Sequence, residues 1–459
     1  MMNGRNAALR DPLRACMTWQ PGLRGALALL AALTAAYFAL LMNRCAAMEG
    51  TAVIAAAGAL GMALLTAFAW RGLWAQRPEA MTLLCTGLLS MLAVGAHIAM
   101  LDIRPGRFTG VLQPLLDEMW NYELVTAMAW EEGGWSGVYL IVCALVSRLE
   151  RFSQLYALKL FDMLCQCMAA GAAARLAALR GAKAGGAVAA MFACVLAPTM
   201  LMNAGLWAQC DATFAMLTLW GLTLLLDDHP LAGCVLWGLA LATKLQSAFV
   251  FPLLIVLFMR GRVQLRHMLA LAAAALVSQC AILLDGQGLY ALISRYAVQL
   301  DNARWGAAGL SDGMPGVYGL MNVASVREFS GMGLYFGIAC ALLVVAALLR
   351  ARRTPDNDTL LLAALLLACG LPLVLPQMNA RSLYLAGMLA FAAAGSARRM
   401  AAAGLLEFIS LCAYMRAIFG YEVVPMAPLS LLAIGAAVLV LAELIPAVCG
   451  GVRGEAQDA

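Results

Sequence analysis

Three short polar clusters interrupt an otherwise apolar chain, and each holds residue types suited to chemistry at a membrane surface. The first is Asn203-Ala-Gly-Leu-Trp207-Ala-Gln209-Cys-Asp211. An amide, an indole N–H, a carboxamide and a carboxylate stand together there. Such a set suits hydroxyl-rich ligands, which need donors, acceptors and an apolar ring face to stack on. The same residues also fit a helix cap by Asp211 and an interfacial tryptophan anchor. The second cluster is Thr243-Lys244-Leu245-Gln246. An ammonium in apolar surroundings is costly unless it meets an anion. No carboxylate stands within a helical turn of Lys244, so a lipid phosphate, a snorkelling side chain and a distant aspartate are all open as its solution. The lipid phosphate is the preferred one. The third cluster is Gln377-Met-Asn379-Ala-Arg381, directly after Leu371-Pro-Leu-Val-Leu-Pro376. Arginine binds phosphate through two parallel N–H donors, and an isolated arginine at a helix end also serves as an interfacial anchor.

The remaining polar residues point elsewhere. Lys159 and Asp162 stand three apart in one apolar run, a spacing that predicts an ion pair orienting the helix. Glu407 and Glu443 have no partner evident from sequence. His97, His229 and His267 are dispersed, and the 14 cysteines sit mostly in apolar runs without a C-x-x-C spacing, as buried thiols do. No glycine-rich phosphate loop, G-x-S-x-G or H-E-x-x-H occurs. The expectation is therefore no metal site, no organic cofactor and no aqueous nucleotide chemistry.

These clusters must be positioned by membrane helices. Of 459 residues, 64% are hydrophobic and 12% charged, against about 45–50% and 25% in soluble domains. That composition excludes a soluble enzyme, a disordered chain and a disulfide-stapled scaffold. The net charge of +5 comes from scattered basic residues, all but three of the 30 being arginine. No basic stripe forms, so nucleic acid is not an expected partner. Apolar runs of spanning length recur over 25–42, 51–70, 80–101, 153–177, 185–205, 212–226, 266–285, 332–349, 358–376, 382–397, 401–418 and 427–447. They predict an all-α polytopic transmembrane bundle of about 12 spans. The positive-inside rule places the N-terminus in the cytoplasm, with Arg175, Arg180, Arg260, Arg262, Arg398 and Arg399 on the same side.

Two segments are too short to cross. Residues 135–147 read as a helix lying on the outer face. Residues 231–242 and 246–259 read as a half-length hairpin entering and leaving on the cytoplasmic side, with Lys244 at its tip. Broken helices at membrane depth are tolerated where they line protein or a cavity. The chain thus divides into N-terminal helices (1–101), a first large outer loop with its surface helix (102–152), a helical module (153–285), a second outer loop (286–331) and C-terminal helices (332–459).

Taken together the motifs resemble the GT-C superfamily of integral-membrane glycosyltransferases. The resemblance is to the bacterial mannosyltransferase-like branch, related to the dolichyl-phosphate-glucose-dependent glucosyltransferases. An N-S-x-x-W-G-Q-x-D-like segment is matched by Asn203, Trp207, Gln209 and Asp211. An A-G-x-x-F-G-L-A-x-x-x-K-x-Q segment is matched over 231–246, ending on Lys244 and Gln246. A Y-x-x-Q element is matched by Tyr296 and Gln299, and a late L-P-x-M-H-E-R-Y-like segment in part by 375–384 with Arg381. The match keeps order and spacing over roughly 100–400. It departs where the family carries its base: Arg107, in Pro105-Gly-Arg-Phe108, stands in place of the aspartate. Asn379-Ala380 replaces a His-Glu pair, and Glu131-Glu132-Gly-Gly-Trp135 replaces an aromatic-Asn-Pro-Pro stretch.

The resemblance implies a transferase in the bacterial plasma membrane. It would move a hexose from a polyprenyl-phosphate-linked donor to a hydroxyl of a cell-envelope glycan, lipid or protein on the outer face, without a metal and with inversion. Asn203, Trp207, Gln209, Asp211, Tyr296, Gln299 and Asn379 would line the sugar site. Lys244, Gln246 and Arg381 would hold the lipid phosphate, and Asp102 or Asp117 would act as base in place of the missing aspartate. The competing expectation is a non-catalytic lipid-linked-sugar binding protein or flippase, and a weaker third is a secondary transporter.

Overall fold

Alanine- and leucine-rich stretches favour helix, which satisfies every backbone N–H and C=O internally in an apolar medium. The computed structural model describes residues 22–46, 48–74, 79–130, 137–305, 310–321, 326–351 and 353–449. They form an all-α bundle, and the one sheet among the described residues is a parallel pair of two-residue strands, Ser311–Asp312 and Met378–Asn379. Eight helices are long and apolar enough to cross a membrane: Leu23–Arg44, Thr51–Arg71, Ala80–Ala99, Gln154–Leu179, Gly331–Arg350, Asn357–Val374, Ala397–Phe419 and Met426–Cys449. The pair Ala184–Leu196 and Pro198–Trp207 makes a ninth if taken as one span bent by 48°. Pro198 opens the second half, where its missing N–H interrupts the ladder between the two. Three of the runs expected to span contain only shorter helices, Asp211–Leu226, Leu265–Val277 and Tyr384–Ala393, about 15–24 Å long at 1.5 Å per residue.

The hairpin is present as Pro230–Thr243 and Leu245–Met259. Its break falls on Lys244, whose backbone is extended at φ −159° and ψ 128°. Trp237 locks the two arms, stacking on Phe251 at 5.0 Å between ring centroids. Its indole N–H donates to the Thr218 carbonyl at 2.9 Å, tying the hairpin to Asp211–Leu226. Small residues let these helices approach: Gly221 faces Trp237, and Gly238 faces the backbone of Leu271. The helix Gly137–Val146 packs over the tip. At its start Gly137 has φ 57° and lies against Ala242, whose carbonyl oxygen would be 2.6 Å from any added Cβ.

One end of the bundle is tied together by arginines set on helix C-terminal carbonyls, where the helix dipole favours positive charge. Arg180 donates to the carbonyls of Ala392 (2.8 Å) and Ala394. Arg260 reaches those of Leu348, Leu349 and Ala351, and Arg262 those of Leu225 and Leu226. Arg399 forks onto Asp358 at 2.7 and 2.8 Å and also donates to Glu443 at 3.1 Å. The arginines that charge distribution groups on one side therefore share one end. Glu443 has its partner here. Glu407 finds one elsewhere, accepting from the N–H and hydroxyl of Thr199 at the start of Pro198–Leu201.

The expected Lys159–Asp162 pair does not form. Lys159 donates instead to the carbonyls of Met100 and Ile103 at 2.6 Å each and of Leu101 at 3.3 Å. These oxygens lie just past the end of Ala80–Ala99, so the ammonium is satisfied by a helix C-terminus. Asp162 faces the interior, fully buried, with neither oxygen hydrogen-bonded.

Gly238 offers a direct test of this close packing. A Cβ there would meet the Leu271 carbonyl oxygen at 2.2 Å, and backbone cannot swing aside as a side chain can. Gly238→Ala is expected to cost about 1–3 kcal/mol, measured as a lowered melting temperature of the detergent-solubilised protein. An unchanged melting temperature would contradict the packing described.

Candidate functional site

The site lies at the end opposite the arginine-tied one, because Asp211 opens the helix whose other end is capped by Arg262. Asp211 is wholly buried and its two oxygens are shared among three donors. Oδ1 is paired with Lys244 Nζ. Oδ2 accepts from Arg381 at 3.1 Å and from Asn203 Nδ2 at 2.8 Å. Arg381 also donates to Gln209 Oε1 at 2.5 Å, and Gln209 Nε2 donates to the Trp207 carbonyl at 3.1 Å. The Asn203 amide reaches Tyr414 Oη at 2.9 Å. Aromatic rings close the cluster. Arg381 lies 5.2 Å from the Trp207 ring centroid and Lys244 5.0 Å from that of Phe214, both within cation–π range. Tyr414 meets Trp207 edge-on at 5.3 Å.

Irregular backbone delivers these side chains. Met202–Trp207 is a π-helical turn, and Ala208 follows it in the left-handed region at φ 53°. Gln377, which opens the Arg381 segment, has φ 58°. A second π-helical turn, Phe108–Leu112, begins directly after Arg107. Non-glycine residues in the left-handed region and π-turns both carry a local cost and concentrate at functional sites.

Above the buried cluster opens a cavity of about 610 Å³, walled by Trp207, Asn379 and Arg381 with Arg107, Arg416, Ser311, Asp312 and Tyr318. Three guanidiniums thus face one carboxylate. Arg416 is partly balanced by Glu422 at 3.5 Å. Arg107 lies in the electrostatic field of Arg381, Asp211 and Asp312; desolvation at the cavity wall, then Arg381, lower its pKa.

The structure brings Asn203, Trp207, Gln209, Asp211, Lys244 and Arg381 together, with Gln246 one step away, and gives Lys244 and Gln246 partners other than a phosphate. Lys244 is not the cation left for a lipid phosphate, since Asp211 from the neighbouring helix is its counter-ion. Gln246 Nε2 is held by Ser382 Oγ at 3.1 Å, and Ser382 in turn donates to Asn379 Oδ1 at 3.3 Å. Of the three residues assigned to the phosphate, only Arg381 lines the cavity. Tyr296 is also elsewhere, donating to the Ala275 carbonyl at 3.1 Å. The side chain of Gln299, like Glu131, Glu132 and Trp135, lies outside the described residues.

Neither expected base lines the cavity. Asp102 is on the exposed turn after Ala80–Ala99, where it accepts from Tyr156 Oη at 2.6 Å. Asp117 is on the exposed face of the amphipathic helix Gln113–Trp120, whose other face buries Leu115, Leu116 and Met119. Sequence reasoning missed Asp312, Arg416 and Tyr318. The signal for the first was only a turn-forming Ser311-Asp-Gly-Met-Pro315 stretch. The sequence matches no protein-family model, and no curated protein matches it.

The shared carboxylate makes a prediction about stability. Asp211→Asn leaves two buried cations facing each other, whereas Lys244→Met leaves Asp211 its Arg381 partner. The aspartate change should be the more destabilising, by the roughly 3–5 kcal/mol seen when a buried pair is broken. The double variant should lose less than the sum of the two singles. Chemical unfolding in detergent measures all three; strict additivity would mean that the two residues do not interact.

Proposed function

We propose that this protein is an integral-membrane glycosyltransferase of the GT-C type, taking a hexose from a polyprenyl-phosphate-linked donor. The acceptor is a hydroxyl of a cell-envelope glycan, lipid or protein. On this reading the shorter helices complete about 12 spans around the half-length hairpin. The arginine-tied end is cytoplasmic, together with the N-terminus, and the cavity opens on the outer face of a bacterial plasma membrane.

The observation that carries the proposal is the charge count beneath and around the cavity. Asp211 carries one negative charge against the two positive charges of Lys244 and Arg381, so the buried cluster is left one positive charge in excess. An uncompensated buried charge costs several kcal/mol, and an anion held against Arg381 and Arg107 removes that cost. A lipid phosphate has the right chemistry, because arginine forks match phosphate oxygens in two places. As the sugar departs, the same cations stabilise the charge developing on the leaving phosphate. Trp207, Tyr318, Asn379 and Ser311 share the cavity wall, a mixture of aromatic and polar groups that suits a hexose. A volume of about 610 Å³ suits a sugar and its phosphate, well inside the usual ~300–1,000 Å³ of small-molecule sites.

A second reading, a protein that binds the lipid-linked sugar without consuming it, is favoured by one observation. Arg107 lines the cavity at the position where the resemblance calls for an aspartate base. One assay series separates the two readings. Full-length protein in phosphatidylcholine nanodiscs is expected to retain labelled polyprenyl phosphate. Arg107→Gln, at an exposed position, should weaken retention by about tenfold or more, the worth of one charge-assisted hydrogen bond, with the melting temperature unchanged. Consumption of polyprenyl-phosphate mannose or glucose in the presence of membrane-derived acceptors supports the transferase. Retention without consumption of either supports the binding protein, and no retention removes both.

A further inference from the structure

The carboxylate that a transferase needs is not supplied by the first outer loop, where Asp102 and Asp117 stand apart from the cavity. We propose that Asp312, from the second outer loop, is the general base. The inference rests on the transferase reading above and assigns its proton acceptor.

Four observations converge on this residue. Asp312 is the one carboxylate that lines the cavity among the described residues. Asp211, directly beneath, has both oxygens occupied by Lys244, Arg381 and Asn203, and Asp162 is sealed in the interior. Asp312 is also exposed, and none of the hydrogen bonds or ion pairs among the described residues uses its carboxylate, so it is open to an incoming hydroxyl. Its backbone, in contrast, is fixed. Ser311–Asp312 pairs in parallel with Met378–Asn379, Asp312 standing opposite Asn379. Gly313 bridges the same Asn379 from the other direction, and the Gln377 N–H donates to the Leu310 carbonyl at 2.8 Å. The strand that fixes Asp312 is thus continuous with the turn that presents Arg381, and base and phosphate cation sit on one small rigid frame. Arg107 lies within electrostatic reach of both.

The step balances without an added reactant. The acceptor O–H gives its proton to the Asp312 carboxylate as its oxygen bonds to C1 of the donor hexose. The bond from C1 to the phosphate oxygen breaks, its electron pair leaving with the polyprenyl phosphate, whose charge Arg381 and Arg107 meet. A single displacement of this kind inverts the configuration at C1.

Asp312→Asn, Asp312→Glu, Asp102→Asn and Asp117→Asn are compared in nanodiscs with polyprenyl-phosphate mannose and glucose as the probes and membrane-derived acceptors present, following both donor retention and donor consumption. Asp312→Asn is expected to retain donor at least as well as the parent, because a negative charge beside the phosphate is gone. Its kcat should fall about 10²–10⁴-fold, the usual contribution of a general base, and Asp312→Glu should restore part of it. A residue that only braced the loop would instead raise KM and lower the melting temperature. Asp312→Asn turnover within twofold of the parent overturns the assignment, as does a loss confined to the Asp102 or Asp117 variants. Donor retention by the parent with failure of Asp312 leaves the transferase site standing without this base. Failure of the parent to bind either donor overturns site and base together, and binding without consumption overturns the base and leaves a binding site.

Discussion

A single buried carboxylate with two cationic partners governs this end of the molecule. Asp211 has no exposed surface, yet it is joined to Lys244, 33 positions away, and to Arg381, 170 positions away. Leaving any of the three alone in an apolar interior would cost several kcal/mol, so three segments of chain must meet at one point. The hairpin breaks at Lys244, and the break lets its tip reach Asp211 instead of continuing as helix. The π-turn Met202–Trp207 and the left-handed Ala208 bring Asn203 onto Asp211 and Gln209 onto its partner Arg381. Gln377 turns the chain so that Arg381 points inward. Local backbone cost at each place is offset by the charge cluster they jointly complete.

The two ends of the bundle contrast in kind. At the arginine-tied end, cations are spent on helix C-terminal carbonyls and on carboxylates that match them, as with Arg399 between Asp358 and Glu443. Cations there outnumber carboxylates, but backbone carbonyls take up Arg180 and Arg260, and Asp356 and Ser396 cap the first turns of their helices. The Thr359 hydroxyl and N–H hold the Asp356 carboxyl below the usual carboxylate range. At the other end the guanidiniums of Arg381, Arg107 and Arg416 line an open cavity instead of closing onto helix termini. Cations satisfied by carbonyls are sufficient for a scaffold. Cations that line a cavity are available to something it holds, which is why the functional argument belongs at that end.

How far the sequence foretells this depends on whether an interaction is local. Apolar runs of spanning length and arginines clustered between them made the helical class, the half-length hairpin and the shared arginine end legible, because hydropathy and charge asymmetry are properties of contiguous residues. The residues of the Asp211 cluster were legible as three short polar groups in an otherwise apolar chain. Their pairing was not, since Asp211 and Lys244 lie on different helices and no spacing rule links them. Lys159 shows the opposite error. A carboxylate three residues away looked like its partner, but backbone carbonyls at a helix C-terminus are acceptors that a side-chain inventory does not count. Asp312 was the least visible. Its strand is two residues long, with no alternation to detect, and it exists only because Met378–Asn379 lies beside it.

Arg107 ties these observations together. A guanidinium cannot take a proton, so on the proposed transferase reading Arg107 is no substitute for a base. It shares the cavity wall with a carboxylate delivered from a second loop and an arginine delivered from the C-terminal half. An aspartate at 107 beside Asp312 would set two negative charges on one wall. An arginine there offsets the field of Asp312 and would, on the proposed reading, add to the attraction for a phosphate. Arg107 and Asp312 thus stand on one cavity wall as opposite charges, and the cavity holds one acid with a surplus of cations.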